Sequence, residues 1–220
     1  RVLVEAAADV GAPLQILADG RTPWEVFKDR RFLGNSRIDP CSRILKRELA
    51  LKWVKQNYTP DGTVVHFGID WTEIHRMANV RNVWGDYVTC APLAELWPMD
   101  KAGVMRWMEA CRLKAPRLYG MGFAHNNCGG FCIKAGKAHF LNLLDKMPER
   151  YRFHEEQEEM IRQHLQKDVT ILKEQRGGVG YTLSLRELRE RAEEIRATED
   201  GQLDWGGCGC MLSEGEVEQG

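Results

Sequence analysis

The sequence predicts an α/β fold, and three observations carry that expectation. A β-branched run, TVVHFGID at 63–70, follows an Asp61-Gly62 turn, closes at Gly68, and has the pattern of a central strand in a parallel sheet. Shorter apolar runs at 13–17 and 86–90 are separated from it by segments whose apolar residues recur at helical spacing. Finally, 220 residues that are 43% hydrophobic and 29% charged suit a compact domain with a sizeable core.

Taken in order, Val2, Leu3, Ala6, Ala7 and Val10 share one face of a first helix, and Gly11 supplies its C-terminal cap. That helix lacks a start signal, so an upstream piece is expected to be absent from the chain. Pro13–Leu17 reads as a short buried strand. Thr22-Pro23 then offers an N-cap and a proline at the first helical position, and Trp24, Val26 and Phe27 follow. Asp39-Pro40 repeats the signal for a longer helix with a stripe of Ile44, Leu45, Leu49, Trp53 and Val54. Cys41 falls in its first turn, where exposed amides and the helix dipole favour a thiolate.

After the central strand, WTEIHR reads as a short helix or ordered loop that places Asp70, Glu73, His75 and Arg76 at a strand's carboxyl end. Ligands collect there in open α/β sheets, although such a group is also what a solvated helix start looks like. The run at 86–90 gives another strand, and Val104, Trp107, Met108 and Cys111 mark the buried face of a following helix. Two helices meet near Pro148, the second with a charged, solvated face. Val169–Leu172 reads as a late strand and RGGVGY as a hairpin turn, since it lacks the spacing of a phosphate-binding glycine loop. Ser184 with Glu187 forms a capping box for SLRELRERAEEIRA, and the polar tail frays.

The chemistry-bearing stretch is LYGMGFAHNNCGGFCIKAGKAHF at 118–140. Cys128 and Cys132 stand there among glycines, whose backbone can approach sulfur closely. Cys208 and Cys210 lie in WGGCGC, and Cys41 opens CSRILK. Buried structural cysteines usually sit singly on apolar faces, as expected for Cys90 and Cys111, so the other five are candidate ligands of one metal centre. The chain shows neither a secretory signal nor a membrane span, which predicts a cytoplasmic protein with thiols or metal ligands rather than disulfides. A net charge of −1 gives no global pull toward nucleic acid, while Arg43, Lys46, Arg47 and Lys52 form a local basic cluster. His66, His75, His125 and His139 are further donors, and His125, beside Asn126 and Asn127, is placed to bond a substrate.

In order along the chain, CSRILK, GIDWTEIHR, APL with LW, VMRWM and PRLYGMGFAHNNCGGFC resemble the phosphoadenosine phosphosulfate (PAPS) reductase-like family of adenine nucleotide α-hydrolase, or PP-loop, proteins. The likeness covers roughly residues 13–140, and the cysteine pattern is most similar to the branches that include iron–sulfur adenylylsulfate reductases and DNA phosphorothioation enzymes. It implies a doubly wound parallel sheet over residues 1–140 and a helical, cysteine-bearing extension over 141–220. It further implies ATP or an adenylylated nucleotide as substrate across the strand ends. Arg43 and Lys46 would meet phosphate or sulfate oxygens. Gly68 would admit the substrate to the backbone, with Asp70, Arg76 and His125 lining the site. Cys41, Lys46 and Glu73 would be catalytic, Glu73 matching the family's G-I-R-x-x-E-S-x-x-R pattern. Asp70 stands where that pattern has its first Arg, Ile74 where it has Ser, and Arg76 one residue short of its last Arg. The family's S-G-G-x-x-S phosphate loop is not in the sequence, as expected if the chain is truncated at its start.

The expected cofactor is an iron–sulfur cluster, 4Fe-4S in type, held by Cys128, Cys132 and one or two of Cys41, Cys208 and Cys210. It would serve reduction or sulfur transfer, with a sulfur donor or electron-donor protein as partner and a nucleic-acid group as an alternative acceptor. Two other readings follow from the same residues. In one, four thiolates hold a structural zinc in a binding or accessory module. In the other, Cys41 is a redox nucleophile that needs no metal.

Overall fold

A computed structural model describes residues 2–34, 39–198 and 204–206. The chain is mixed α/β, about 55% helical, with only short strands. Among the described residues no helix is long and apolar enough to cross a membrane. The described residues divide into two compact units, one from residues 2–19 and 45–116, the other from residues 20–34, 39–44, 117–198 and 204–206.

The first unit opens with helix α1 (Val2–Val10), which Gly11 ends at φ +70° as its amide reaches the Ala8 carbonyl. The 13–17 run expected as a strand is instead coil, with Leu14 and Ile16 exposed. No described strand runs beside it, and an isolated extended segment has no ladder to hold it. Helix α4 (Leu49–Asn57) leads to strand β1 (Val64–His66), a 3₁₀ turn (Trp71–Glu73), helix α5 (Arg76–Val83) and strand β2 (Val88–Cys90). The two strands pair in parallel, Val64 with Val88 and His66 with Cys90, as expected of a strand–helix–strand crossover. Ile69, Met77, Val80, Trp84, Tyr87 and Ala91 bury a small core beside them.

Helices α6 (Pro92–Glu95) and α7 (Lys101–Ala110) follow, the latter capped by the Asp100 carboxylate on the Gly103 amide. The expected buried face of α7 is not buried: Trp107 is 54% exposed and Cys111 is exposed. Helical spacing fixes which residues share a face, but a cover must come from elsewhere in the fold.

The second unit holds the larger core. Helix α2 (Pro23–Arg30) starts at a complete capping box of Thr22 and Glu25 and buries Trp24, Val26 and Phe27. The Asp39-Pro40 signal starts helix α3 (Pro40–Ser42), which turns at once into a π-helical stretch (Arg43–Glu48) that runs into α4. Helix α8 (Arg117–Gly120) precedes the cysteine loop; α9 (Lys137–Lys146) and α10 (Pro148–Leu165) then pack together, Pro148 breaking the chain between them. Strands β3 (Leu172–Arg176) and β4 (Val179–Leu183) form an antiparallel hairpin turning on Gly177 and Gly178, both at positive φ. Ser184 and Glu187 cap α11 (Leu185–Glu190) reciprocally, and α12 (Ala192–Thr198) follows a break at Arg191.

One part of α10 departs from the solvated face its charges predict. Glu158 is buried and accepts the amides of Ile171 (2.9 Å) and Leu185 (2.6 Å), fastening the hairpin and α11 to the helix. Tyr151, fully buried, adds a hydrogen bond from its hydroxyl to the Leu185 carbonyl at 2.6 Å.

Candidate thiol centre

The glycine-rich loop closes as a single turn (Asn127–Gly130) in which Cys128, Gly129 and Gly130 all have positive φ, at 51°, 63° and 94°. Two glycines adopt this conformation freely, whereas Cys128 holds it at a cost of about 1 kcal/mol. A Cβ on Gly129 would lie 2.7 Å from a terminal nitrogen of Arg150, whose guanidinium donates to the Cys128 carbonyl at 3.4 Å. His139 contacts the Gly130 carbonyl through Nε2 at 3.0 Å. The turn is therefore tied to α9 and α10 together.

Phe131 anchors the next step. Its ring is buried, stacked on His154 with centroids 4.0 Å apart and packed on Trp24 at 5.1 Å. Trp24 in turn donates its indole N–H to Nδ1 of His154 at 2.9 Å. Cys128 and Cys132 flank this fixed aromatic, and Cys132 is itself buried.

Cys41, far away in sequence, is half-buried and packs against the same core. Burial pushes its thiol up to about 12, and the neighbouring Cys128, Cys132 and Asp39 add to the rise against a hydrogen bond from the Ser42 backbone. The expectation of a thiolate favoured by a helix start is thus corrected. Helix α3 is three residues long, and low-dielectric surroundings with three acidic neighbours outweigh its exposed amides. The same causes place Cys41, Cys128 and Cys132 in one electrostatic neighbourhood.

The C-terminal segment reaches this region through backbone contact. Gly136 donates its amide to the Trp205 carbonyl and Ala138 to that of Asp204, both at 3.0 Å, and Ala135 and Gly206 form an antiparallel bridge. A Cβ on Gly136 would collide with the Asp204 carbonyl and lie 2.8 Å from the Gly206 amide nitrogen. Glycine at both positions allows the close approach. Cys208 and Cys210 lie outside the described residues.

Among the described residues no group of three or more His, Cys, Asp or Glu side chains could by itself hold a metal ion. In kind the three thiols fit a thiophilic centre, and Cys41 lies within electrostatic reach of the other two. A thiol such as Cys41, whose proton affinity burial and its neighbours raise, is a donor whose ionisation a bound cation makes favourable. Cys41, Cys128 and Cys132 would supply three positions, and the segment after Gly206 carries two more cysteines.

The remaining candidates divide between the units. Arg43 and His125 belong to the thiol-bearing unit, where the ring of His125 stacks on that of His139 with centroids 5.0 Å apart. Lys46, Gly68, Asp70, Glu73 and Arg76 belong to the other unit. Lys46 is exposed on the π-helical stretch. Gly68 lies just beyond β1 with open space where a Cβ would stand. The Asp70 carboxylate caps the 3₁₀ turn, accepting the Thr72 amide at 2.9 Å and its hydroxyl at 2.6 Å, and Glu73 pairs with Arg76 at 2.8 Å.

Sequence reasoning passed over several residues that shape the centre. Lys134 and Asp39 form a buried ion pair at 3.8 Å, while His154 and Arg150 hold the loop from α10. The position of Lys134 two residues after Cys132, and of Asp39 two before Cys41, was the available signal. No protein-family model, curated protein or solved structure matches the chain.

Proposed function

We propose that the chain is an oxidoreductase or sulfurtransferase of the PAPS reductase-like kind, built around a thiolate-held iron–sulfur centre and acting on an adenylylated substrate or on ATP. The observation that carries this reading is that Cys41 packs against the core that buries Cys132 and lies within electrostatic reach of Cys128 and Cys132. Cys41, Cys128 and Cys132 would hold the centre, with Cys208 or Cys210 completing it; when bound it would supply one-electron chemistry or a sulfur-binding site. The glycine amides of the 128–130 turn would tune the sulfurs.

On this reading the parallel pair β1–β2 belongs to a doubly wound sheet whose strand ends face the nucleotide. Gly68, Asp70, Glu73 and Arg76 follow β1 at that end, and Lys46 of the same unit would meet the substrate's anionic oxygens.

Anaerobic purification with iron, labile-sulfide and zinc analysis and a visible spectrum tests the centre. The expected result is a coloured protein with iron and sulfide, bleached by Cys41→Ser, Cys128→Ser or Cys132→Ser. A colourless protein without iron or sulfide rejects the cluster; stoichiometric zinc in its place would assign the same cysteines to a structural site.

A further inference from the structure

We propose that the buried ion pair between Lys134 and Asp39 is a clamp that holds the Cys41 segment against the Cys132 segment. It is a positioning pair for the thiol centre. The inference rests on the proposed centre for its purpose, but on side-chain geometry for its existence. Lys134 Nζ lies 3.8 Å from Asp39 Oδ2, and the two side chains are only 10% and 6% exposed. Each partner stands two residues from a cysteine, Asp39 ahead of Cys41 and Lys134 behind Cys132, so one ionic contact fixes the spacing of two strands of chain that share no regular ladder. The backbone reinforces the arrangement: the Asp39 carbonyl accepts the Arg43 amide at 3.1 Å, and the Cys132 carbonyl accepts the Ala135 amide at 3.0 Å. Each ionic group thus sits in the same hydrogen-bonded turn as its cysteine. A buried charge pair is poor evidence of stability, because desolvation offsets most of the attraction, and its better-attested use is to specify one arrangement over others.

The clamp and a simple field effect predict different signs. A cation near a metal site opposes metal binding, and a carboxylate assists it. If the pair acted only through its field, Lys134→Met would tighten binding of a divalent ion and Asp39→Asn would weaken it. If the pair positions the thiols, both substitutions weaken binding, since each frees the two segments from one another. Loss of an outer-shell partner of this kind typically lowers metal affinity about 10–100-fold.

Two measurements on the full chain decide the matter. In the reduced, metal-free protein a bis-alkylating bimane bridges thiol pairs that stand close together, and peptide mass spectrometry identifies the pair. The wild type is expected to yield a Cys41–Cys132 or Cys41–Cys128 bridge. Asp39→Asn combined with Lys134→Met, which removes both charges of the pair, is expected to form it about tenfold more slowly, while Lys134→Arg retains it. In the second measurement, cobalt(II) is titrated and its thiolate charge-transfer absorbance followed; both single variants are expected to bind about tenfold more weakly than wild type. Bridging at the wild-type rate in the double variant, absence of the bridge in wild type, or cobalt affinities that move in opposite directions would each overturn the clamp. If the single variants do not fold, the double variant decides. A wild type that bridges Cys41 but takes up neither cobalt nor iron refutes the metal centre and leaves the clamp standing.

Discussion

The indole of Trp24 donates its N–H to Nδ1 of His154 at 2.9 Å, joining α2 to α10 beneath the ring that separates Cys128 from Cys132. With Nδ1 the acceptor, the ring proton of neutral His154 sits on Nε2, which is buried with no hydrogen-bond partner. Trp24→Phe keeps most of the aromatic bulk but leaves Nδ1 unsatisfied as well. It is expected to destabilise the protein by about 1–3 kcal/mol, read as a lower urea midpoint with an unchanged slope. An unchanged midpoint would show that the bond contributes nothing net.

The pH dependence of stability should carry two opposing contributions. Burial, and secondarily Arg150, pushes His154 down from 6.5 to about 3. The unfolded chain then binds the extra proton between those values, so this contribution is complete above pH 6.5 and is lost as pH falls toward 3. Burial pushes Glu158 up from 4.5 to about 7, against the amides of Ile171 and Leu185 that stabilise its anion. Here the folded state binds the extra proton, and the contribution is complete below pH 4.5 and lost as pH rises through 7. Wild-type stability is expected to be nearly flat between pH 4.5 and 6.5, where the two slopes offset each other.

Glu158→Gln separates these contributions. The amide nitrogen must face one of two backbone donors, which costs about 1–3 kcal/mol at every pH. It also removes the falling slope. Stability of the variant should therefore rise with pH across that window by up to about 1.4 kcal/mol per unit. A variant whose urea midpoints track those of wild type from pH 4.5 to 7 would mean that Glu158 does not titrate there.

Gly136→Ala tests the docking of the C-terminal segment. The added methyl cannot coexist with the Asp204 carbonyl where it now lies, so residues 204–206 must separate from 135–138. Most of the core is untouched, and the thermal midpoint should move little. Protection of the Gly136 and Ala138 amides from hydrogen exchange should fall at least about tenfold, the equivalent of roughly 1.4 kcal/mol of local opening. Under the proposed function iron content falls with it; unaltered protection would show that the segment accommodates the methyl.

Gly129→Ala places a methyl 2.7 Å from the Arg150 guanidinium at a backbone φ of +63°. Loss of the Arg150 contact and left-handed strain together are expected to cost about 1–2 kcal/mol. Arg150→Ala clears the space and should recover the steric part, so the pair of substitutions should be non-additive in a double-mutant cycle.

Local signals were the most legible part of the fold. Thr22-Pro23, Ser184 with Glu187, and Gly177-Gly178 each specify a cap or turn through atoms a few residues apart, and each formed as the sequence predicts. Failures came where a distant cover decides the outcome. Leu14 and Ile16 form no strand because no described neighbour pairs with them, and Trp107 stays exposed on a face of the expected periodicity. In the thiol centre, residue types and loop composition pointed to Cys41, Cys128 and Cys132. The tethering by Arg150 and His154 was hidden, because charges and histidines on a long helix read the same whether they meet solvent or a loop.

The division of the chain into units carries a consequence for synthesis. Residues 45–116 lie between the two portions of the thiol-bearing unit, so the short segment holding Cys41 leaves the ribosome well before most of the core it packs against has been made to enclose it. At about 5–20 residues per second, Cys41 waits roughly 10–30 s for that enclosure. Throughout this interval its sulfur is open to oxidants and stray metals, and the trio cannot assemble before Cys132 has emerged.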